Sequence, residues 1–117
     1  MIEINNDLKK QGRSTGTELI VPLPSETKES FINGLNNVIN SQISRVVIYT
    51  LMMLHGTHFK LPSYRKSFGY ITKFRIVPLN FGEYDGQKVF DYEEAGVSTK
   101  DLSFDDYLFI RALALLV

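Results

Sequence analysis

The stretch from Thr17 to Thr27, reading T-E-L-I-V-P-L-P-S-E-T, limits what this chain can fold into more than any other. Leu19-Ile20-Val21 is a short apolar run suited to a strand. Pro22 and Pro24 stiffen the turn after it. Ser25 or Thr27 can then open a helix by accepting hydrogen bonds from its first free N–H groups, and Glu26 and Glu29 fall where the helix dipole favours negative charge. A strand leading into a helix is the unit of parallel α/β sheets, where ligands settle at the carboxyl ends of strands. The turn Pro22 to Glu26 lies at such an end, so a candidate site is sought there.

The flanking sequence extends this unit. Ile2 to Gln11 suits an exposed helix stopped by Gly12, and Arg13 to Gly16 is a short loop. After Thr27, apolar residues at Phe31, Leu35, Val38 and Ile39 mark one face of an amphipathic helix. Val46 to Leu54 is β-branched at its start and apolar without alternation, the pattern of a strand buried on both faces. Strand, helix and strand make one βαβ unit with parallel neighbours. Two such strands need helices on both sides and strands at their edges, more than the chain supplies, so the unit is expected to be incomplete.

Residues 1–60 are therefore read as an incomplete βαβ unit, and residues 61–117 as an extension. Leu54 to Phe59 forms a loop on the same rim as Pro22 to Glu26, and Pro62 to Phe68 a short helix stopped by Gly69. Ile71 to Leu79 and Lys88 to Val97 alternate loosely around Glu83-Tyr84-Asp85-Gly86-Gln87, whose Asp-Gly pair signals a β-hairpin. Phe104 to Val117 reads as a terminal helix capped by Ser103. Without a Gly stop or basic last turn, it suits either a helix continuing beyond this segment or one docked on the core.

Charge and composition exclude several functions. Thirteen basic residues balance 13 acidic ones, so no net field draws the chain to nucleic acid or an anionic membrane. There is no Cys, which removes disulfides, a thiol nucleophile and any thiolate-held cluster within this chain. No apolar run reaches the roughly 20 residues of a membrane span, and M-I-E-I-N-N-D is too polar for a signal peptide. A soluble, cytoplasmic protein is expected.

Glu18-Leu19-Ile20-Val21-Pro22-Leu23-Pro24-Ser25-Glu26-Thr27 resembles the G-x-I-x-G-L-P-G-E-T strand and turn of radical S-adenosylmethionine proteins. Tyr49 to Thr57, Y-T-L-M-M-L-H-G-T, is similar to their next strand and its Gly-Thr turn. Val89 to Glu94 with Ser103 to Leu108 resembles the segment after the barrel in the cobalamin-binding branch. The resemblance implies a partial parallel (β/α) barrel, with residues 1–60 as its βαβ part, in which Ile20, Val21 and Pro22 run beside the adenine of S-adenosylmethionine. It also implies that Pro24 to Thr27, including Glu26, closes that end and that the backbone of Leu54, Gly56 and Thr57 lies alongside, while Glu18 can line the barrel mouth as a cofactor contact. It further implies a reaction that cleaves S-adenosylmethionine to a 5′-deoxyadenosyl radical. Glu18, Pro22 and Ser25 stand where the common pattern has Gly, which changes how closely backbone can approach a ligand. The family's four-iron four-sulfur cluster needs three Cys, absent here. The chain is accordingly expected to be the carboxyl-terminal part of such an enzyme, inactive alone, with the cluster-binding half and any cobalamin elsewhere.

Other readings stand beside this one. Glu26 can serve only the helix dipole, and Glu18 can either pair with a cation on an adjacent strand or contact a ligand. His55 and His58 have metal-site spacing without an obvious third ligand. Glu93 and Glu94 would point to opposite faces of a strand, so they do not form a catalytic pair. No nucleophile elbow or phosphate loop is present. A binding module docking on a partner and a small zinc hydrolase are the alternative functions.

Overall fold

A computed structural model of the chain describes residues 2–117. In chain order it holds α1 (Ile2–Lys10), β1 (Gly16–Val21), α2 (Lys28–Asn40), β2 (Arg45–Thr50), a 3-10 turn (His58–Lys60), α3 (Pro62–Phe68), β3 (Ile71–Tyr84), β4 (Gln87–Ser98) and α4 (Phe104–Leu113). The fold is mixed α/β. β1 and β2 pair in parallel from Gly16 opposite Arg45 to Val21 opposite Thr50, with α2 as the connection. β3 and β4 form an antiparallel hairpin. Asp85 and Gly86 both take positive φ at its tip, as the Asp-Gly signal predicts. A bridge between Met52 and Ala95 joins the two pairs. Among the described residues the strands form no closed barrel.

One core serves both the βαβ unit and the extension. Val21 and Ile48 from the strands meet Phe31 and Leu35 of α2, Val97 of β4, Leu102, and Tyr107 and Ile110 of α4. Val21 and Ile110 are fully buried. Such side chains contribute roughly 1.5–3 kcal/mol each through the water they exclude. Inside this core the Thr50 and Tyr107 hydroxyls share a hydrogen bond at 2.8 Å. α4 is therefore docked on the core. It ends at Leu113 rather than Val117, and its last turn does hold a cation: Arg111, whose guanidinium donates to the Ile48 carbonyl at 2.6 Å.

The expectation that both strands are buried on both faces is corrected. α2 and α4 lie on one face; the opposite face exposes Glu18, Ile20 and Tyr49, the last two by 42% and 47%. The missing alternation in Val46 to Leu54 has a different cause. β2 ends at Thr50 because the next residues change partners. The Leu51 amide donates to Val21 O at 2.8 Å, Gly96 N donates to Leu51 O at 2.9 Å, and Met53 N donates to Glu94 O at 2.8 Å. Leu51 and Met53 then pack with Tyr70, Phe59, Tyr64 and Phe68 in a second apolar cluster under the 3-10 turn and α3.

The far half of the hairpin stands away from both clusters, in a molecule measuring 56 × 36 × 27 Å. Phe74, Ile76, Phe81, Phe90 and Tyr92 are each more than half exposed along it. α1 is largely exposed, Ile4 included, but Asn5 is buried. Its amide donates to the Ser41 carbonyl at 2.7 Å and its Oδ1 accepts from the Thr15 hydroxyl, tying α1 to the loops on either side of the βαβ unit.

Candidate functional site

The turn after β1 is built as its sequence suggests, with the roles of its residues redistributed. Thr27, not Ser25, caps α2: its Oγ accepts from Ser30 N at 3.1 Å, while Ser30 Oγ accepts from Thr27 N at 2.9 Å. Ser25 takes φ +60, the left-handed conformation that glycine adopts without cost. A serine here thus adopts the backbone conformation that Gly allows. Glu26 precedes the cap instead of occupying the first turn, where Glu29 sits. Its carboxylate accepts from Leu23 N at 3.4 Å. Partial burial raises its pKa above the ordinary 4.5, and the Leu23 amide only partly offsets this.

The expected site residues fall into three groups. Ile20, Leu54 and Thr57 line one groove of about 520 Å3, together with Tyr49, Thr50, Leu51, Met52, Phe59, Arg75 and Glu93. It lies at the carboxyl end of the parallel pair. Gly56, at φ +82, lets the chain reverse beside it, and the Thr57 hydroxyl closes that turn by donating to Leu54 O at 2.7 Å. Glu18 and Glu26 line a different groove, of about 410 Å3, which also includes Ile20 and runs along the outer edge of β1 over α2. Val21 and Pro22 point into the core, and their carbonyls are occupied: Val21 O by Leu51 N at 2.8 Å and Pro22 O by the Tyr70 hydroxyl at 3.1 Å. The peptide between them is cis, and Pro24 is half-buried in the turn.

The first groove has an apolar floor and aromatic walls, with a polar group at one end, the Arg75–Glu93 ion pair. Such a surface suits a flat heterocycle that gains from stacking and a few edge hydrogen bonds. Tyr49, Phe59, Arg75 and Glu93 were not among the expected site residues. Tyr49 lies in a run whose lack of alternation hides its outward face, and the others reach the groove only through the 3-10 turn and the hairpin register.

That wall is anchored by a buried polar cluster. Glu94, whose side chain is 6% exposed, accepts from Arg65 Nη2 at 2.5 Å and from the Thr72 hydroxyl at 2.6 Å, and also from Lys60 Nζ. Burial alone would raise the Glu94 pKa, but the bonds from Lys60, Thr72 and Arg65 outweigh it and hold the carboxyl at about 2. The carboxylate thus pins the 3-10 turn and α3 to β3 and β4. Glu93 faces the other way and pairs with Arg75, so the two adjacent carboxylates are indeed separated by the strand.

His55 and His58 are both exposed, and His58 stacks on Tyr64 with ring centroids 6.0 Å apart. No group of three or more His, Asp or Glu capable of holding a metal gathers among the described residues. None of the helices among the described residues is long and apolar enough to cross a membrane. No protein-family model and no curated protein matches the chain.

Proposed function

We propose that the chain is the carboxyl-terminal part of a radical S-adenosylmethionine enzyme, a partial (β/α) barrel segment that supplies one side of the adenosyl-binding rim. The observation that carries this reading is the groove lined by Ile20, Tyr49, Leu54, Thr57 and Phe59 at the carboxyl end of a parallel strand pair. Parallel α/β sheets bind ligands at this end. The glycine-like backbone at Ser25, within the motif that carries the resemblance, supports it further. These residues fit an adenosyl group: apolar and aromatic surface for the purine, and Thr57, Arg75 and Glu93 at its margins. They do not fit a four-iron four-sulfur cluster, since there is no Cys, and no residue of the groove marks a cobalamin site. The cluster, and cobalamin if the parent enzyme uses it, belongs to the other half, and the chain alone is inactive.

Isothermal titration with S-adenosylhomocysteine tests the reading. Binding weakened at least about tenfold by Leu54→Asp supports it. No binding by the unmodified chain, or equal binding by Leu54→Asp, would remove it. A second reading, a non-catalytic interaction module, draws on the exposed apolar hairpin from Phe74 to Tyr92. It predicts no affinity for adenosyl compounds.

A further inference from the structure

β1 hydrogen-bonds to β2 along one edge; its other edge, from Gly16 to Val21, meets no strand among the described residues. An open strand edge is a template for another chain. Here it is flanked by the groove of about 410 Å3, floored by Leu19, Phe31, Leu35 and Val38. Two carboxylates, Glu18 and Glu26, border the groove, and no Lys or Arg among the described residues pairs with either. Gly34 of α2 faces the same groove, and among the described residues nothing lies within 4 Å of where its Cβ would sit. Glycine weakens a helix interior, and no contact among the described residues needs the missing Cβ. Its absence lets an external segment approach the helix closely.

We infer that the free edge of β1 receives an extended strand of a protein partner in which basic and apolar side chains alternate. The basic ones face Glu18, and the apolar ones lie over Gly34 between Phe31 and Val38. Backbone hydrogen bonds along the edge provide the affinity, and the alternation provides the specificity. A second copy of this chain is a poor occupant, because edge-to-edge pairing through β1 brings two Glu18 side chains together and like charges across a strand pair destabilise it. The inference rests on the proposed function for the kind of partner, the other half of an α/β sheet; the chemistry of the edge comes from the groove itself.

The probes are two labelled, end-blocked peptides, V-K-V-K-V-K-V and V-E-V-E-V-E-V, titrated with the full chain and followed by fluorescence anisotropy at low salt. The lysine peptide is expected to bind at least about tenfold more tightly than the glutamate peptide, as charge complementarity sets specificity. Glu18→Lys should reverse that order. Gly34→Leu should weaken binding at least about tenfold, by filling the space the peptide needs, without lowering the thermal midpoint of the free chain. Equal binding of the two peptides, an order unchanged by Glu18→Lys, or full binding by Gly34→Leu would each overturn the inference. Neither peptide involves an adenosyl group, so losing one proposal leaves the other standing.

Discussion

Replacing Glu94 by Gln tests whether the buried polar cluster holds the groove wall together. The folded carboxyl sits at about 2 against an ordinary 4.5, a difference equivalent to about 3 kcal/mol of stability at neutral pH. Removing one partner of a fully buried pair costs about 3–5 kcal/mol. Lys60 and Arg65 each keep 28% of their side-chain surface in water and can be rehydrated when the charge is lost. The expected cost of Glu94→Gln is therefore about 2–3 kcal/mol. The sign of the pH dependence is fixed by the lowered pKa. The contribution is complete above 4.5 and is lost as pH falls toward 2, where the folded carboxyl also takes up a proton. Urea unfolding at pH 7 should show the midpoint of Glu94→Gln lower by about 1–2 M with an unchanged slope. Near pH 2 the two proteins should approach each other. A difference below about 0.5 kcal/mol at pH 7, or an undiminished one near pH 2, would show that the Glu94 charge does not hold the cluster together.

Two further substitutions probe the turn and the core. Ser25→Gly places the residue that tolerates φ +60 where serine is held in the left-handed region; the thermal midpoint should rise by a few degrees, corresponding to about 0.5–1 kcal/mol. A fall in midpoint would mean that the serine side chain makes a needed contact. Ile110→Ala empties a fully buried site between α4 and the strands and should cost about 2–5 kcal/mol in urea unfolding. A cost under about 1 kcal/mol would show that α4 is not docked as described.

The local elements were legible because each carries its own chemistry. Gly12 and Gly69 stop helices, Asp85-Gly86 turns a hairpin, and Ser103 caps α4 by accepting from Asp106 N at 3.1 Å. What the sequence could not convey was which face of the parallel pair is covered. Ile20 and Tyr49 are as apolar as Leu19 and Ile48, yet only the latter pair meets helices. For the candidate site, the strand end and the Gly56–Thr57 turn were readable as local pattern. The separation of Glu18 and Glu26 from Leu54 and Thr57 was not, since it depends on which side of β1 each groove occupies. The same holds for Glu94. Its pairing with Lys60 and Arg65 spans 34 and 29 positions of chain and leaves no trace in the local pattern.

The groove at the end of the parallel pair is proposed to receive an adenosyl group. Amide NMR of the chain titrated with 5′-deoxyadenosine tests it most directly, up to about a millimolar ligand. Shifts are expected to concentrate at Ile20, Tyr49 and Leu54 to Thr57, with Phe81 to Phe90 on the hairpin unchanged. Shifts confined to the hairpin, or none at all, would contradict it.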